Sequence, residues 1–295
     1  MWRHHLKLNF VVLIWSFTAI LGQLITLPRF ELVFLRTFFA GILLFFVWKG
    51  IKRRKDGVCR WPRRLWRLYF NGAIVGFHWV FFFAAAKMNA SVLLAGLATT
   101  TLWTALLEPL LTSSSWKRSE VALGAVITVA LLQISRAEAD HLAPLLLGLA
   151  SAIAAAIFSI LNGQWARDED AIGVTVLEMA GASTACLLSL LVLSVFERSW
   201  PHFALTPMDW IWMAILIIFC TAYAYVAYIK LLEHLSVFTI NLAANFEPVY
   251  GMILAAVLLG EADDLSFGFY FGSLMILICV LVHSWMLKRQ AGEIA

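Results

Sequence analysis

Of the 295 residues, 62% are hydrophobic and 14% charged, which leaves too little polar surface to cover a water-soluble core. The formal charge of +4 is scattered between apolar runs instead of gathered on one solvated stretch, which argues against a nucleic-acid partner. Cys59, Cys186, Cys220 and Cys279 stand singly, without metal-ligand or redox spacing, so they are read as small hydrophobes and no cofactor or metal is expected.

A hydrocarbon layer about 30 Å thick takes roughly 20 apolar residues per helical span. Such runs fall at residues 8–27, 31–49, 66–87, 90–112, 118–135, 142–165, 171–195, 208–232, 236–259 and 266–287, here called spans one to ten. The runs are continuous and do not alternate, so helices are expected and not barrel strands. The first run lacks a small-residue cleavage site and is followed by further spans, so it reads as a helix and not a removable leader. With the N terminus inside, only Arg29, Arg36, Lys87, Arg136 and Arg198 of the 22 Lys and Arg fall on the outer side. This bias predicts cytoplasmic N and C termini.

Five spans per half would insert the two halves in opposite senses, the device by which carriers build alternating access. The division falls at residues 1–137 and 138–295. Asn89-Ala90-Ser91-Val92 before span four is similar to His234-Leu235-Ser236-Val237 before span nine, and Leu123-Gly124 to Phe267-Gly268. Each half also carries a Glu-Pro pair within a span, Glu108-Pro109 and Glu247-Pro248.

Leu13-Ile14-Trp15-Ser16, Phe34-Leu35-Arg36 and above all Asn245-Phe246-Glu247-Pro248-Val249, followed by Leu258-Leu259-Gly260-Glu261, resemble the ten-helix EamA-type carriers of the drug/metabolite transporter superfamily. The resemblance runs over nearly the whole chain. In the first half, Trp103 stands where a proline would be matched and Ser113-Ser114-Ser115-Trp116 where a Gly-Glu turn would be. The resemblance implies an all-α membrane protein of ten transmembrane helices in two inverted five-helix repeats. It also implies a central cavity lined by spans one, three, four, six, eight and nine, and residence in a bacterial-type inner membrane.

Glu247 lies about half way through span nine, where a carboxylate costs several kcal/mol unless it faces a wet cavity or a partner. Pro248 has no N–H to offer the carbonyl of Ala244 and disfavours helical geometry at Glu247. Two readings stand: a notch for an ammonium, a cation or a proton, or a protonated Glu bonded within a kinked helix. Asn241 and Asn245 share a face from which Glu247 turns away in an ideal helix. Either a kink brings them together or one set lines the cavity, with Asn245 favoured. Glu108, nearer the cytoplasmic end of span four beside the kink expected at Pro109, either binds substrate or snorkels to the interface. Glu178 in span seven is expected to pair with another helix.

His78 in span three either binds substrate and relays protons or bonds a neighbouring helix. Trp79, Trp103 and Tyr225 are candidates to wall a pocket by covering a cation or stacking on a ring, although most of the 13 tryptophans belong to interfacial belts or packing. Asn162 and Gln23 are further polar candidates, and Arg36 is expected to snorkel outward. The small residues Ala150 to Ala152 and Ala154 to Ala156 serve close helix packing.

These features point to a secondary transporter, in the export direction, of a small polar metabolite such as an amino acid, with alternating access around the central cavity. The expected partners are a small-molecule substrate and membrane lipid; protons and a second copy of the chain stay open. The alternatives are an intramembrane enzyme and a channel without a carrier cycle. His4, His5, His141 and His202 lie near or outside the interfaces, and no HExxH, GxSxG, paired-Asp or P-loop motif is present to support an enzyme or an ATP-driven pump.

Overall fold

The computed structural model describes residues 2–54, 61–134, 142–198, 200–247, 249–251, 254 and 267–290. Pro248, Gly260 and Glu261 lie outside them, as do Cys59, Arg136 and His141. The regular secondary structure of the described residues is all helical: α1 (Trp2–Leu24), α2 (Arg29–Arg54), α3 (Leu65–Met88), α4 (Ala90–Ala98), α5 (Thr100–Thr112), α6 (Arg118–Ile134), α7 (Leu142–Trp165), α8 (Ala171–Glu197), α9 (Pro207–Ile215), a π-helical segment (Leu216–Tyr223), α10 (Ala224–Leu231), α11 (Val237–Ala244) and α12 (Phe267–Gln290). These pieces string into ten helices, six of them long and apolar enough to cross a membrane.

Local chemistry sets the helix ends. Asn89 caps α4 by accepting from the Val92 N–H at 2.9 Å, and Asp170 caps α8 from the Gly173 N–H at 3.0 Å. Ser236 caps α11, and Thr206 with Asp209 forms a reciprocal capping box ahead of α9, with Pro207 at its first position. The Asp209 carboxylate also accepts from the N–H and hydroxyl of Thr26, at 2.9 and 2.8 Å, which ties the turn after α1 to the start of α9. Helix α1 starts at Trp2, earlier than the apolar run, because Arg3, His4, His5 and Lys7 do not break a helix. It ends at Leu24, ahead of Pro28.

Spans four and nine, expected to kink at Pro109 and Pro248, and span eight, expected as one uniform helix, are interrupted. The first break is at Thr99, between α4 and α5. Its hydroxyl bonds back to the Gly96 carbonyl at 2.7 Å and that of Thr100 to Leu97 at 2.6 Å, a local competition with the helical ladder. Helix α5 then runs unbroken through Pro109, so the interruption of span four lies away from the proline where a kink was expected. In span eight, Thr221 donates to the Leu216 carbonyl five residues earlier at 2.7 Å, within the wide turns of the π segment. In span nine, α11 stops at Asn245, whose side chain donates to the carbonyls of Asn241 and Leu242, both at 3.2 Å. Helical residues resume at Phe246.

Helix α3 is the centre of the packing, held between α7 and α8. With no hydrophobic drive between helices inside lipid, close approach of small residues supplies the contact. At Gly72 a side chain would lie 2.6 Å from the Glu178 Cα, and at Gly181 it would run into the Tyr69 carbonyl. The two helix backbones therefore meet face to face at these glycines.

Candidate functional site

Helices α1, α2, α3, α4, α5, α7, α10 and α11 converge on a cavity of about 100 Å³, room for several waters. Six aromatic residues border it: Trp15, Trp79, Phe82, Phe158, Tyr225 and Tyr228. Trp79 and Tyr225 meet edge-on at 5.9 Å, and Tyr225 meets Tyr228 at 5.4 Å.

Arg36 enters this cavity from α2 and is only 1% exposed, which corrects the expectation that it snorkels outward. Burying a guanidinium requires partners, and two elements, α3 and the π segment, supply them. Its charge centre sits 4.0 Å from the Trp79 ring centroid. Its Nε donates to the Thr221 hydroxyl at 2.6 Å and its Nη2 to the Cys220 carbonyl at 3.3 Å, both on the π segment. Among the described residues its Nη1 has no hydrogen-bond partner.

Glu247 faces the same cavity, together with Asn241, Ala244 and Asn245. The interruption at Asn245 removes the ideal-helix geometry that would have turned Glu247 away, so all three polar side chains reach one space. Among the described residues no ion pair or hydrogen bond closes onto the Glu247 carboxylate, which interacts with Arg36 through charge alone.

The interrupted spans four and nine are joined to each other. Asn245 Nδ2 donates to the Thr101 hydroxyl at 2.6 Å, Asn241 Nδ2 to the Thr104 hydroxyl at 2.8 Å, and the Thr101 hydroxyl to the Asn241 carbonyl at 3.1 Å. On the opposite wall, His78 Nδ1 lies 2.9 Å from the Ser151 hydroxyl and 3.0 Å from its carbonyl, which binds α3 to α7.

A second polar cluster lies behind the aromatic wall. The Glu178 carboxyl is fully buried; Asn71 Nδ2 donates to its Oε1 at 2.7 Å and Asn162 Nδ2 to its Oε2 at 3.3 Å. Asn162 also donates to the Tyr225 hydroxyl at 3.3 Å, so Tyr225 belongs to both the cluster and the cavity wall.

Of the residues singled out from sequence, the structure brings Glu247, Asn245, His78, Trp79 and Tyr225 to the cavity. Asn162 sits in the Glu178 cluster. Trp103 donates to the Thr99 hydroxyl at 3.1 Å and does not line the cavity. Glu108 stands apart from the cavity, with Glu120, Lys117 and Arg167 as its charged neighbours. Span two, absent from the expected lining, contributes Arg36. Sequence reading passed over Asn71, Thr221 and Tyr228. Asn71 carried a usable signal, an amide inside an apolar run; Thr221 carried none.

The model of the EamA-like transporter family matches residues 5–136 and again residues 142–285. The chain belongs to the EamA-like transporter family. As an EamA-like transporter it is a multi-pass membrane protein with a small-molecule substrate, and not an enzyme. A solved crystal structure, described only as that of a protein, superposes with a TM-score of 0.73 at 16% identity. It covers 96% of this chain and 97% of its own, a likeness of fold alone. No curated protein matches the chain.

Proposed function

We propose that this EamA-like transporter is a secondary carrier for a small zwitterion with an apolar body, an amino acid being the simplest example. The observation that carries this reading is the pairing, within one space bordered by aromatic rings, of a guanidinium and a carboxylate that, among the described residues, keep respectively an unused donor and no bonded partner. Arg36 Nη1 would take the substrate carboxylate, Glu247 its ammonium, and Trp79 with Tyr225 its apolar body. A ligand carrying both charges satisfies both groups at once, whereas one carrying a single charge leaves the other desolvated.

Residues 1–137 and 138–295 act as the two halves, inserted in opposite senses with both termini in the cytoplasm of a bacterial-type inner membrane. The paired interruptions at Thr99 and Asn245 support this arrangement, since carriers place broken helices at the interface of inverted repeats. Rocking of one half on the other about the Thr101–Asn245 contact opens the cavity to each side in turn. Glu247 is also the group best placed to exchange a proton when the site is empty.

The test is a thermal-shift comparison on the purified chain with L-phenylalanine, phenethylamine and 3-phenylpropionate. Stabilisation by the zwitterion alone, lost in both Glu247→Gln and Arg36→Gln, is the expected result. Equal stabilisation by phenethylamine, or an unchanged response in Glu247→Gln, would overturn it. Saturable flux of the stabilising compound into proteoliposomes separates the carrier from a channel.

A further inference from the structure

A crevice of about 1240 Å³ runs along the outside of the bundle between α1, α2, the π segment and α10, and shares no lining residue with the central cavity. Along most of its length the wall is apolar, with Leu43 and Val47 of α2 facing Ile218 and Val226 of span eight. Phe10 and Tyr223 meet edge-on across it at 6.3 Å, each about half exposed. All three flanking spans are long and apolar enough to cross a membrane, so this wall faces hydrocarbon.

One end differs. The first turns of α1 and the last turn of α10 lie together there, bringing His4, Lys7, Lys230 and His234 to the mouth of the crevice. The His4 and His234 rings are 4.0 Å apart. Among the described residues Glu233 is the one carboxylate that lines this end, and it lies 4.0 Å from His234. Lys7 and Lys230 are exposed and form no ion pair among the described residues. An apolar trough that ends in two unpaired ammonium groups complements a molecule with a long hydrocarbon body and an anionic head.

We infer that this crevice binds one anionic phospholipid, its acyl chain along Leu43, Val47 and Val226 and its phosphate between Lys7 and Lys230. A zwitterionic lipid would bring its own cation to a place that already holds two. The site is independent of what the central cavity carries. Its occupant would bridge α1 to span eight, the span that holds Arg36 through Thr221, so lipid binding there steadies an element of the cavity wall.

The experiment uses the full-length protein in detergent, with phosphatidylglycerol, phosphatidylcholine and inorganic phosphate as probes, read by native mass spectrometry and thermal shift. Phosphatidylglycerol should remain bound and stabilise the protein, whereas phosphatidylcholine and phosphate alone should not. Lys7→Gln with Lys230→Gln should weaken phosphatidylglycerol binding about tenfold or more, and Lys7→Arg with Lys230→Arg should preserve it. Val47→Trp, which fills the apolar part, should also reduce it. Equal binding of the two lipids, or unchanged phosphatidylglycerol binding in the Gln double variant, would overturn the proposal. So would a Val47→Trp protein that keeps its lipid but loses stabilisation by L-phenylalanine, which would make the crevice a substrate portal.

Discussion

The Asn245 amide donates to the Thr101 hydroxyl at 2.6 Å, joining the break in span nine to the break in span four. Asn245 lies at the end of α11 and Thr101 in the first turn of α5, so each presents a side-chain polar group close to the point where its helix is interrupted. The contact satisfies them on one another and sits beside the cavity, since Asn245 and Thr100 both line it.

Asn245→Ala and Thr101→Ala should therefore couple. A double-mutant cycle on unfolding in detergent is expected to give an interaction of about 0.6–1.7 kcal/mol, the range for buried hydrogen bonds between membrane helices. Additive effects would show that the two breaks are stabilised separately.

Arg36 and Glu247 balance each other's charge across the cavity. Removing one partner of a buried opposite-charge pair leaves the other uncompensated, at a cost of about 3–5 kcal/mol where the pair is in contact and less at this separation. Arg36→Met should lower the melting temperature, and adding Glu247→Gln to it should recover part of the loss. Arg36→Lys keeps the charge but cannot keep the stack on Trp79 with both bonds to the π segment; zwitterion binding should fall at least tenfold. A lysine variant that binds as the wild type does would remove the positioning role of Thr221 and Cys220.

Glu178→Ala would remove the shortest acceptor of the Asn71 amide and one acceptor of Asn162; the Phe158 carbonyl, Asn162 Oδ1 and the Tyr225 hydroxyl still accept from these amides, so the cost should fall at the low end of about 1–3 kcal/mol. Glu178→Gln keeps the shape and one acceptor and should melt well above the alanine variant. Equal melting of the two would mean that water replaces the carboxyl freely in this cluster.

Gly72→Ala should destabilise by about 1–3 kcal/mol through overpacking, since the new methyl falls 2.6 Å from the Glu178 Cα. Gly50→Ala is the control, because nothing lies within 4 Å of a side chain there. Melting curves of the two proteins in detergent decide the matter; a tolerated Gly72→Ala would show that α3 and α8 can separate at little cost.

Much of the fold was legible because bilayer thickness imposes a length on each apolar run, and continuous runs admit helices alone. Glu247 was legible as well, since a carboxylate amid Ala, Phe and Val is conspicuous in one dimension. Arg36 was misread for a related reason. Five residues inside a run, its position fits both an outward and an inward side chain, and the choice depends on Trp79 and Thr221, which are far away in sequence. Glu108 shares a neighbouring proline with Glu247 but is expected nearer the cytoplasmic end of its span, and span four breaks at Thr99, before that proline is reached.

By itself, then, the sequence determined that the chain lives in lipid, how many helices it forms and that span nine carries charge, because hydropathy and run length are local quantities. Only the tertiary structure decided that Arg36 faces inward, that the interruptions at Thr99 and Asn245 meet, and that Glu178 is enclosed by Asn71 and Asn162. Inside a membrane the backbone is satisfied within each helix, and polar side chains turn to partners on other helices or to a cavity. Partners drawn from separate helices are fixed by packing, which no single segment encodes.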